Sequence, residues 1–511
     1  MIIQIILAII VLGIVRWIWD RIKYFKLRSE LGLGGPEISF PLGNLKFLLD
    51  YPKYAKNFIK EGYVPPPEPY GETFGVYVGS IFEINTTDLD IVNEVFIKQF
   101  SKFVNRPTQH FNAGYPLNDS ILQMTKDGVE GRGYGWKDVR SVVSPIFTTG
   151  KLKAMLPLME ERTEAFINML KTKASQGEIE MYIELQSLSL DIIGRCAFGM
   201  ETDCINDKND KFYTNTRTFF QQLSLEDSFG TLVGMLSPKL SHFIRPWTKE
   251  GRAEKVLIHG LKEIVDKRRQ NFENESGNGH RRDLISLLLE QDRERQMNQK
   301  KPPLHEMTLI SNCYAILLAG YETTSTALAF ALYALSKHQD VQQQLFDEIN
   351  DYIESEKKVK YEDIFKFQYL DAVVKETLRR YSPVVFFSSR ECVEDCEIKG
   401  IKFKKGICIQ APVQSFHQNP EWWPEPFKFD PNRFLNIQKI DQLKWIPFGI
   451  GPRNCVGMRF AELEMKSALI AIVKNFKITP GQEILDKDLD CTVSSVLYRP
   501  ASTLPLKLEV R

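Results

Sequence analysis

The chain has 511 residues with 66 basic and 65 acidic side chains, so its net charge of +1 gives no reason to expect a nucleic-acid partner. Length alone allows about three domains, yet the informative motifs run from Trp136 to Cys455 and would have to converge, which argues for one large catalytic domain. Eight cysteines follow no framework and no cleavable signal is evident, which reads as free thiols in a reducing compartment.

Met1 to Trp19 is apolar except for Gln4 and Arg16, close to the length of about twenty residues that a membrane span needs. Arg21, Lys23, Lys26 and Arg28 follow at once and place the remainder on the cytosolic side. The stretch is neither amphipathic nor rich in Arg and Ser, unlike a mitochondrial presequence. Residues 1–20 are therefore read as a transmembrane anchor, with a greasy helix docked on the domain as the alternative. Residues 21–44 are read as a basic and Pro/Gly hinge, since Gly34-Gly35-Pro36 to Asn44 cannot continue a helix. Residues 45–511 are the catalytic domain. Within it, Thr73–Val78 and Ile81–Ile84 flank Gly79-Ser80 as a hairpin, after the stiff run Pro65–Pro69. Arg106 to Tyr134 is irregular and glycine-rich near its end, as expected of a mobile lid.

Trp136 and Arg140 stand four apart on one helical face, where an indole N–H and a guanidinium suit a buried carboxylate. Met155 to Leu289 is mostly amphipathic helix, with Phe212 to Ile244 rich in Phe and Leu and a polar break at Asn271–His280. Leu304 to Leu335 is the longest helical pattern, and Gly320 followed by Thr323-Thr324-Ser325 is poor helix material in its middle. Hydroxyls there can capture a backbone carbonyl and open the helix locally. The adjacent Glu322 and Thr323 form a carboxylate–alcohol pair able to deliver protons, although a small-residue packing seam would look the same. Gln339 should let the chain turn smoothly into the next helix, and His338 and His417 read as structural.

Glu376 and Arg379 lie three apart on an amphipathic helix ending before Pro383. Cys392 and Cys396 have no second Cys/His pair at zinc spacing, so no zinc site is expected there. Phe448 to Gly457 is a glycine-rich loop that delivers Cys455 to the start of a helix beginning near Met458. A sulfur in that position meets free N–H groups and the positive end of the helix dipole, which favour thiolate. Gly449 and Gly451 would let their amides close on it.

The pattern F-x-x-G-x-R-x-C-x-G around Cys455 resembles the haem-binding loop of the cytochrome P450 family, and four further motifs follow that family's order. These are W-x-x-x-R at Trp136 and Arg140, A-G-x-E-T at Glu322 and Thr323, E-x-x-R at Glu376 and Arg379, and the match at Arg433. The resemblance covers residues 34 to 511 and implies a mainly α fold with small β sheets. It implies haem b with Cys455 as axial iron ligand, Phe448 beside it, and Arg453, Trp136, Arg140 and Arg390 at the propionates. Thr323 would hydrogen-bond bound dioxygen, Glu322 would relay protons, and Glu376, Arg379 and Arg433 would form a structural network. Residues 384–388 and 494–498, with the Phe212–Ile244 segment, would line the substrate pocket. The reaction implied is insertion of one oxygen atom from dioxygen into a small apolar substrate, such as a xenobiotic, steroid or fatty acid. The framework resembles the microsomal broad-specificity branch on the endoplasmic reticulum membrane. No stretch for flavin or nicotinamide is evident, so electrons would come from an NADPH-dependent reductase, with cytochrome b5 as a further partner and a mitochondrial ferredoxin as runner-up. Lys137, Lys444 and Lys466 would meet acidic residues of the donor. A haem-thiolate isomerase or dehydratase, disfavoured by Glu322-Thr323, and a non-catalytic haem- or lipid-binding protein are the alternatives.

Overall fold

Apolar residues at three- and four-residue spacing fold as long helices in the computed structural model, which describes residues 2–44, 46, 70–78, 81–107, 116–223, 233, 238–274, 283–356, 359–435, 441–494, 496–501 and 503–511. The run Pro65–Pro69, the turn Gly79-Ser80 and parts of the Phe212–Ile244 and Asn271–His280 segments lie outside the described residues.

The first helix is Ile2–Glu30. The apolar side chains of its first turns are exposed, Leu12 at 68%, whereas Tyr24, Phe25 and Leu27 near its end pack on the domain. The helix does not give way to a hinge at residue 21. From Trp17 to Leu31 there is neither proline nor glycine, so the basic segment continues it to Glu30, and the turn comes at Gly32 with φ +67°. Its last turns are pinned to the domain. The Arg28 N–H donates to the Tyr77 hydroxyl at 3.0 Å, and the Arg21 guanidinium donates to the Pro41 carbonyl at 2.8 Å. Asn44 closes the Pro/Gly segment by donating to the Pro36 and Glu37 carbonyls and accepting from the Tyr77 N–H.

Strands β1 (Thr73–Val78) and β2 (Ile81–Thr86) pair antiparallel with Val78 opposite Ile81, forming the expected hairpin. Short strands follow: β3 (Ile179–Glu180), β4 (Ser389–Glu391), β5 (Cys396–Ile398), β6 (Ile401–Phe403) and β7 (Cys408–Gln410). β8 (Phe476–Pro480), β9 (Cys491–Ser494), β10 (Leu497–Pro500) and β11 (Pro505–Val510) complete the set. They form a four-stranded sheet β1-β2-β7-β4, in which only β2 and β7 run parallel, and the smaller sheets β3-β11-β8, β9-β10 and β5-β6.

The rest is helical. Glu306–Lys337 is the central helix, packed most extensively on Met181–Phe198 and also against Gln368–Arg380 and Met458–Asn475. It is apolar and long enough to cross a membrane, but 83% of its most apolar stretch is buried, which makes it the core of the domain. Gly320 gives a close approach to Met181–Phe198: a Cβ there would sit 3.0 Å from Ile193 Cδ1, so that side chain would have to shift. Gln339 starts the next helix, Gln339–Glu356, and its amide closes the end of the central one by donating to the Ser336 carbonyl at 2.8 Å and to Ile478 of β8 at 2.9 Å.

Within this apolar bundle Glu464 is wholly buried, and the Ser189 hydroxyl donates to it at 2.7 Å. Burial pushes its pKa up to about 8, outweighing the Ser189 hydrogen bond. The folded chain thus keeps a proton that the unfolded chain releases near pH 4.5. The contribution to stability is complete below that value and is lost as pH rises through about 8. Thermal unfolding followed by circular dichroism is expected to show a midpoint that falls between about pH 5 and about pH 9, with Glu464→Gln recovering roughly 3–5 kcal/mol at the alkaline end. A Glu464→Gln variant with an unchanged pH dependence would show that this carboxyl does not control it.

Candidate active site

A cavity of about 300 Å³ lies between the Phe448–Gly457 loop and the middle of the central helix. Its walls are apolar, with Leu117 and Ile121 from the irregular stretch, Phe219, Phe220 and Leu223, and Val384, Phe387, Val496 and Leu497 from the two segments expected to line it. The described part of the stretch expected as a mobile lid is tied down. Asp119 accepts from the Thr308 hydroxyl at 2.7 Å and from Arg132 at 2.9 Å, and the Ile121 N–H donates to Asn312 on the central helix at 2.9 Å.

Cys455 is the one cysteine lining the cavity among the described residues, and its surface opens into that space while protein surrounds it on the other sides. Its N–H donates to the Phe448 carbonyl at 2.8 Å, closing the loop just before the helix Met458–Asn475. Burial raises the thiol pKa, and the Gly457 N–H, Arg140 and Arg106 pull it back toward thiolate. The two loop glycines act differently from expectation. The Gly449 N–H donates to the Ile446 carbonyl in a turn and not to sulfur. Gly451, at φ +70°, is needed because a Cβ would fall 1.9 Å from the Phe96 carbonyl oxygen.

Four guanidinium groups gather at one side of the cavity: Arg106, Arg140, Arg390 and Arg453. Their hydrogen bonds go to neutral oxygens. Arg106 donates to the Leu122 and Arg453 carbonyls at 2.9 and 2.8 Å, and Arg453 donates to the Met124 carbonyl. Arg140 reaches the Asn454 carbonyl and amide oxygen at 3.1 Å each, and Arg390 donates to Ser389 and Ile450. Arg453 also lies 4.6 Å above the Trp136 ring. Among the described residues no carboxylate pairs with any of the four, and Nε of Arg106, Arg390 and Arg453 has no partner. Burial pushes all four pKa values down, Arg390 to about 9, and mutual repulsion depresses Arg106 and Arg453 further. Such a cluster calls for an anionic ligand. Arg106 gave no signal in the sequence; it comes to the site through the chain's path.

On the opposite wall Thr323 borders the cavity, and its hydroxyl donates to the Ala319 carbonyl at 2.6 Å. The capture of a carbonyl is as expected, but the helix runs through without interruption from Glu306 to Lys337. Glu322 is wholly buried and turned away from the cavity. The Tyr182 hydroxyl donates to it at 2.6 Å and the Gln186 amide at 3.2 Å, with Arg499 at 3.9 Å. Burial raises the Glu322 pKa, and Arg499 opposes this most. Tyr182, Gln186 and Arg499 were not legible beforehand, because only packing brings β10 and the helix Met181–Phe198 to this point.

Residues 41–504 match the family model described as Cytochrome P450. The chain belongs to the cytochrome P450 family. It is 33% identical to Cytochrome P450 3A16 of Mus musculus over 466 residues, covering 89% of this chain and 87% of the relative. It is 32% identical to Cytochrome P450 3A5 of Homo sapiens over 492 residues, 95% and 92% of the two chains. It is also 31% identical to Cytochrome P450 3A12 of Canis lupus familiaris over 449 residues, 86% and 85%. As a cytochrome P450 the protein is a haem-dependent monooxygenase that takes electrons from a redox partner and carries haem b on a cysteine thiolate. The residues present fit that cofactor: one cavity-lining thiol faces an apolar space, and four anion-seeking arginines match its two propionates.

The loop of this cytochrome P450 rests on a buried ionic framework. Arg379 and Glu376 are both 0% exposed and make two parallel hydrogen bonds, at 2.7 and 2.9 Å. Arg433 approaches Glu376 at 3.5 Å. Arg379 also donates to the Pro426 and His417 carbonyls at 2.8 and 2.7 Å. His417 Nε2 in turn accepts from the Ile446 N–H at 2.8 Å, just before the Cys455 loop. Burial and Arg379 depress the His417 pKa to about 3, which keeps the ring neutral as that acceptor. His338 is also structural, stacked on Phe429 at 5.4 Å between centroids. Of the three lysines expected to meet a redox partner, Lys137 is exposed and Lys444 partly so. Lys466 is not: its side chain is 3% exposed and donates to Asp371 at 2.6 Å, because its helix face turns inward.

Arg379→Ala strands Glu376 in the interior at roughly 3–5 kcal/mol, and the expected outcome is little haem-loaded protein by absorbance after purification. Gly451→Ala is expected to keep the helical circular dichroism signal while haem content falls several-fold, since its Cβ collides with backbone. Wild-type haem content in either variant would separate that residue from the loop's integrity.

Proposed function

We propose that Cys455 would hold the haem iron through its thiolate, that Arg106, Arg140, Arg390 and Arg453 with Trp136 would hold the propionates, and that Phe448 would pack beside the thiolate. The reading rests on one observation above all: the single thiol and the four unpaired arginines border the same apolar cavity. When bound, haem b on a thiolate supplies the activation of dioxygen, so that one oxygen atom enters a C–H bond and the other leaves as water. The protein's residues bind, orient and supply protons. Thr323 offers a hydroxyl whose hydrogen is parked on the Ala319 carbonyl and can turn toward the cavity. Glu322 lies at the far side of the same helical turn, its pKa raised by burial, and accepts from the Tyr182 hydroxyl, which also lies 3.2 Å from Thr326. Glu376, Arg379 and Arg433 act structurally. The aromatic and aliphatic walls exclude water and select a small apolar organic substrate.

The electrons come from an NADPH-dependent cytochrome P450 reductase, with cytochrome b5 as a second donor, docking where Lys137 and Lys444 are reachable. Residues 1–20 anchor the chain in the endoplasmic reticulum membrane with the domain 45–511 on the cytosolic side. The exposed apolar side chains of the first helix and the cations at Arg21, Lys23 and Lys26 support this.

Two measurements test the reading. Reduced, carbon monoxide-treated protein is expected to show the red-shifted Soret band of a thiolate ligand, and Cys455→Ser to lose it. Thr323→Ala is expected to keep that band while product formation falls on the order of a hundred-fold and NADPH is diverted to peroxide. Unchanged coupling of NADPH to product in Thr323→Ala would remove Thr323 from proton delivery.

A further inference from the structure

Among the described residues, three side chains reach the two carboxylate oxygens of the wholly buried Glu322. On Oε2 the Gln186 amide donates at 3.2 Å, and on Oε1 the Tyr182 hydroxyl donates at 2.6 Å, with Arg499 Nη1 3.9 Å away. An amide N–H and a guanidinium only donate, so both favour the ionised carboxylate. A phenol differs, since it donates through its hydrogen and accepts on its oxygen. Tyr182 stands where both capacities find a partner. Its oxygen also lies 3.2 Å from Thr326 Oγ1, and either hydroxyl of that pair is able to donate. Glu322 and Thr326 are four residues apart on one face of the central helix, so a single side chain from the neighbouring helix Met181–Phe198 spans both. All three residues are buried, and a hydrogen bond lost here is not replaced by bulk water.

We propose that Tyr182 is a positioning residue for proton supply, its hydroxyl turning between Glu322 and Thr326 as Glu322 loses and regains its proton. This rests on the reading of Glu322 as a proton relay. In the protonated state the Glu322 O–H donates to the Tyr182 oxygen, and Tyr182 turns its own hydrogen to Thr326. When the proton leaves Glu322, Tyr182 turns its hydrogen back to Oε1, and Arg499 faces the new negative charge. A proton from bulk water then restores the first state. One proton enters for each that leaves, and no bond between heavy atoms forms or breaks. Arg499, with 13% of its side chain exposed, is the member of the group most open to solvent. Without the phenol hydroxyl the ionised state loses its shortest hydrogen bond in a dry site, so Glu322 gives up its proton less readily.

The full-length, haem-loaded protein is assayed with an NADPH-dependent reductase and a neutral steroid that the wild type oxidises, such as progesterone, and product formed is compared with NADPH consumed. Tyr182→Phe keeps the ring and is expected to keep the carbon monoxide band and the KM. Its product per NADPH is expected to fall on the order of ten-fold, with peroxide rising instead. Thr326→Val is expected to lower the same ratio about three-fold. Tyr182→Phe in a Glu322→Gln background is expected to lower the ratio no further than Glu322→Gln does alone, because the hydroxyl acts through that carboxyl. A merely structural role for Tyr182 lowers the ratio in both backgrounds. That result, or wild-type coupling in Tyr182→Phe or Thr326→Val, overturns the proposal while leaving Glu322 as the relay. Wild-type coupling in Glu322→Gln overturns the reading of Glu322 itself, and the proposal with it.

Discussion

Arg379 has no access to water, so its charge has to be balanced inside the protein, and the whole proximal half is arranged around that requirement. Glu376 supplies the counter-charge through two parallel hydrogen bonds, and the remaining N–H groups are spent on the carbonyls of Pro426, Lys428 and His417. The Pro426 and Lys428 carbonyls belong to a segment without helix or strand, and the His417 carbonyl ends the short helix Val413–His417. A buried cation thus stands in for a sheet or helix in fixing the path of Pro426–Lys428. Through the neutral ring of His417 the same network reaches Ile446 and sets the start of the loop that presents Cys455.

The other buried cations are used in the opposite way. Arg379 is satisfied by the protein, whereas Arg106, Arg140, Arg390 and Arg453 hydrogen-bond, among the described residues, only to neutral oxygens, and their mutual repulsion bears on Arg106 and Arg453. One group of arginines is balanced by a carboxylate of the protein; the other carries a charge that no described carboxylate offsets.

The acid and the alcohol of the central helix are neighbours in sequence but face different surroundings. Thr323 opens onto the cavity, while Glu322 points into a polar pocket built by Tyr182, Gln186 and Arg499. Consecutive side chains of a helix stand about 100° apart, and this divides the pair between the cavity and the polar pocket.

Local chemistry made much of this protein legible from its residues. The hairpin at Thr73–Thr86, the central helix, the helix following Cys455 and the pairing of Glu376 with Arg379 each follow from short-range periodicity or spacing. The cysteine loop was legible because its glycines, arginine and cysteine are contiguous. The first helix runs further than residue 20, to Glu30, since no proline or glycine from Trp17 to Leu31 breaks it. What only the tertiary structure decided involves groups far apart in the chain. Arg106 joins the arginine cluster, the inward turn of Lys466 hides it from any partner, and Gly451 is fixed by the carbonyl of Phe96. Each depends on which surfaces meet once long helices pack, and burial and close approach at such contacts have no counterpart in a local pattern.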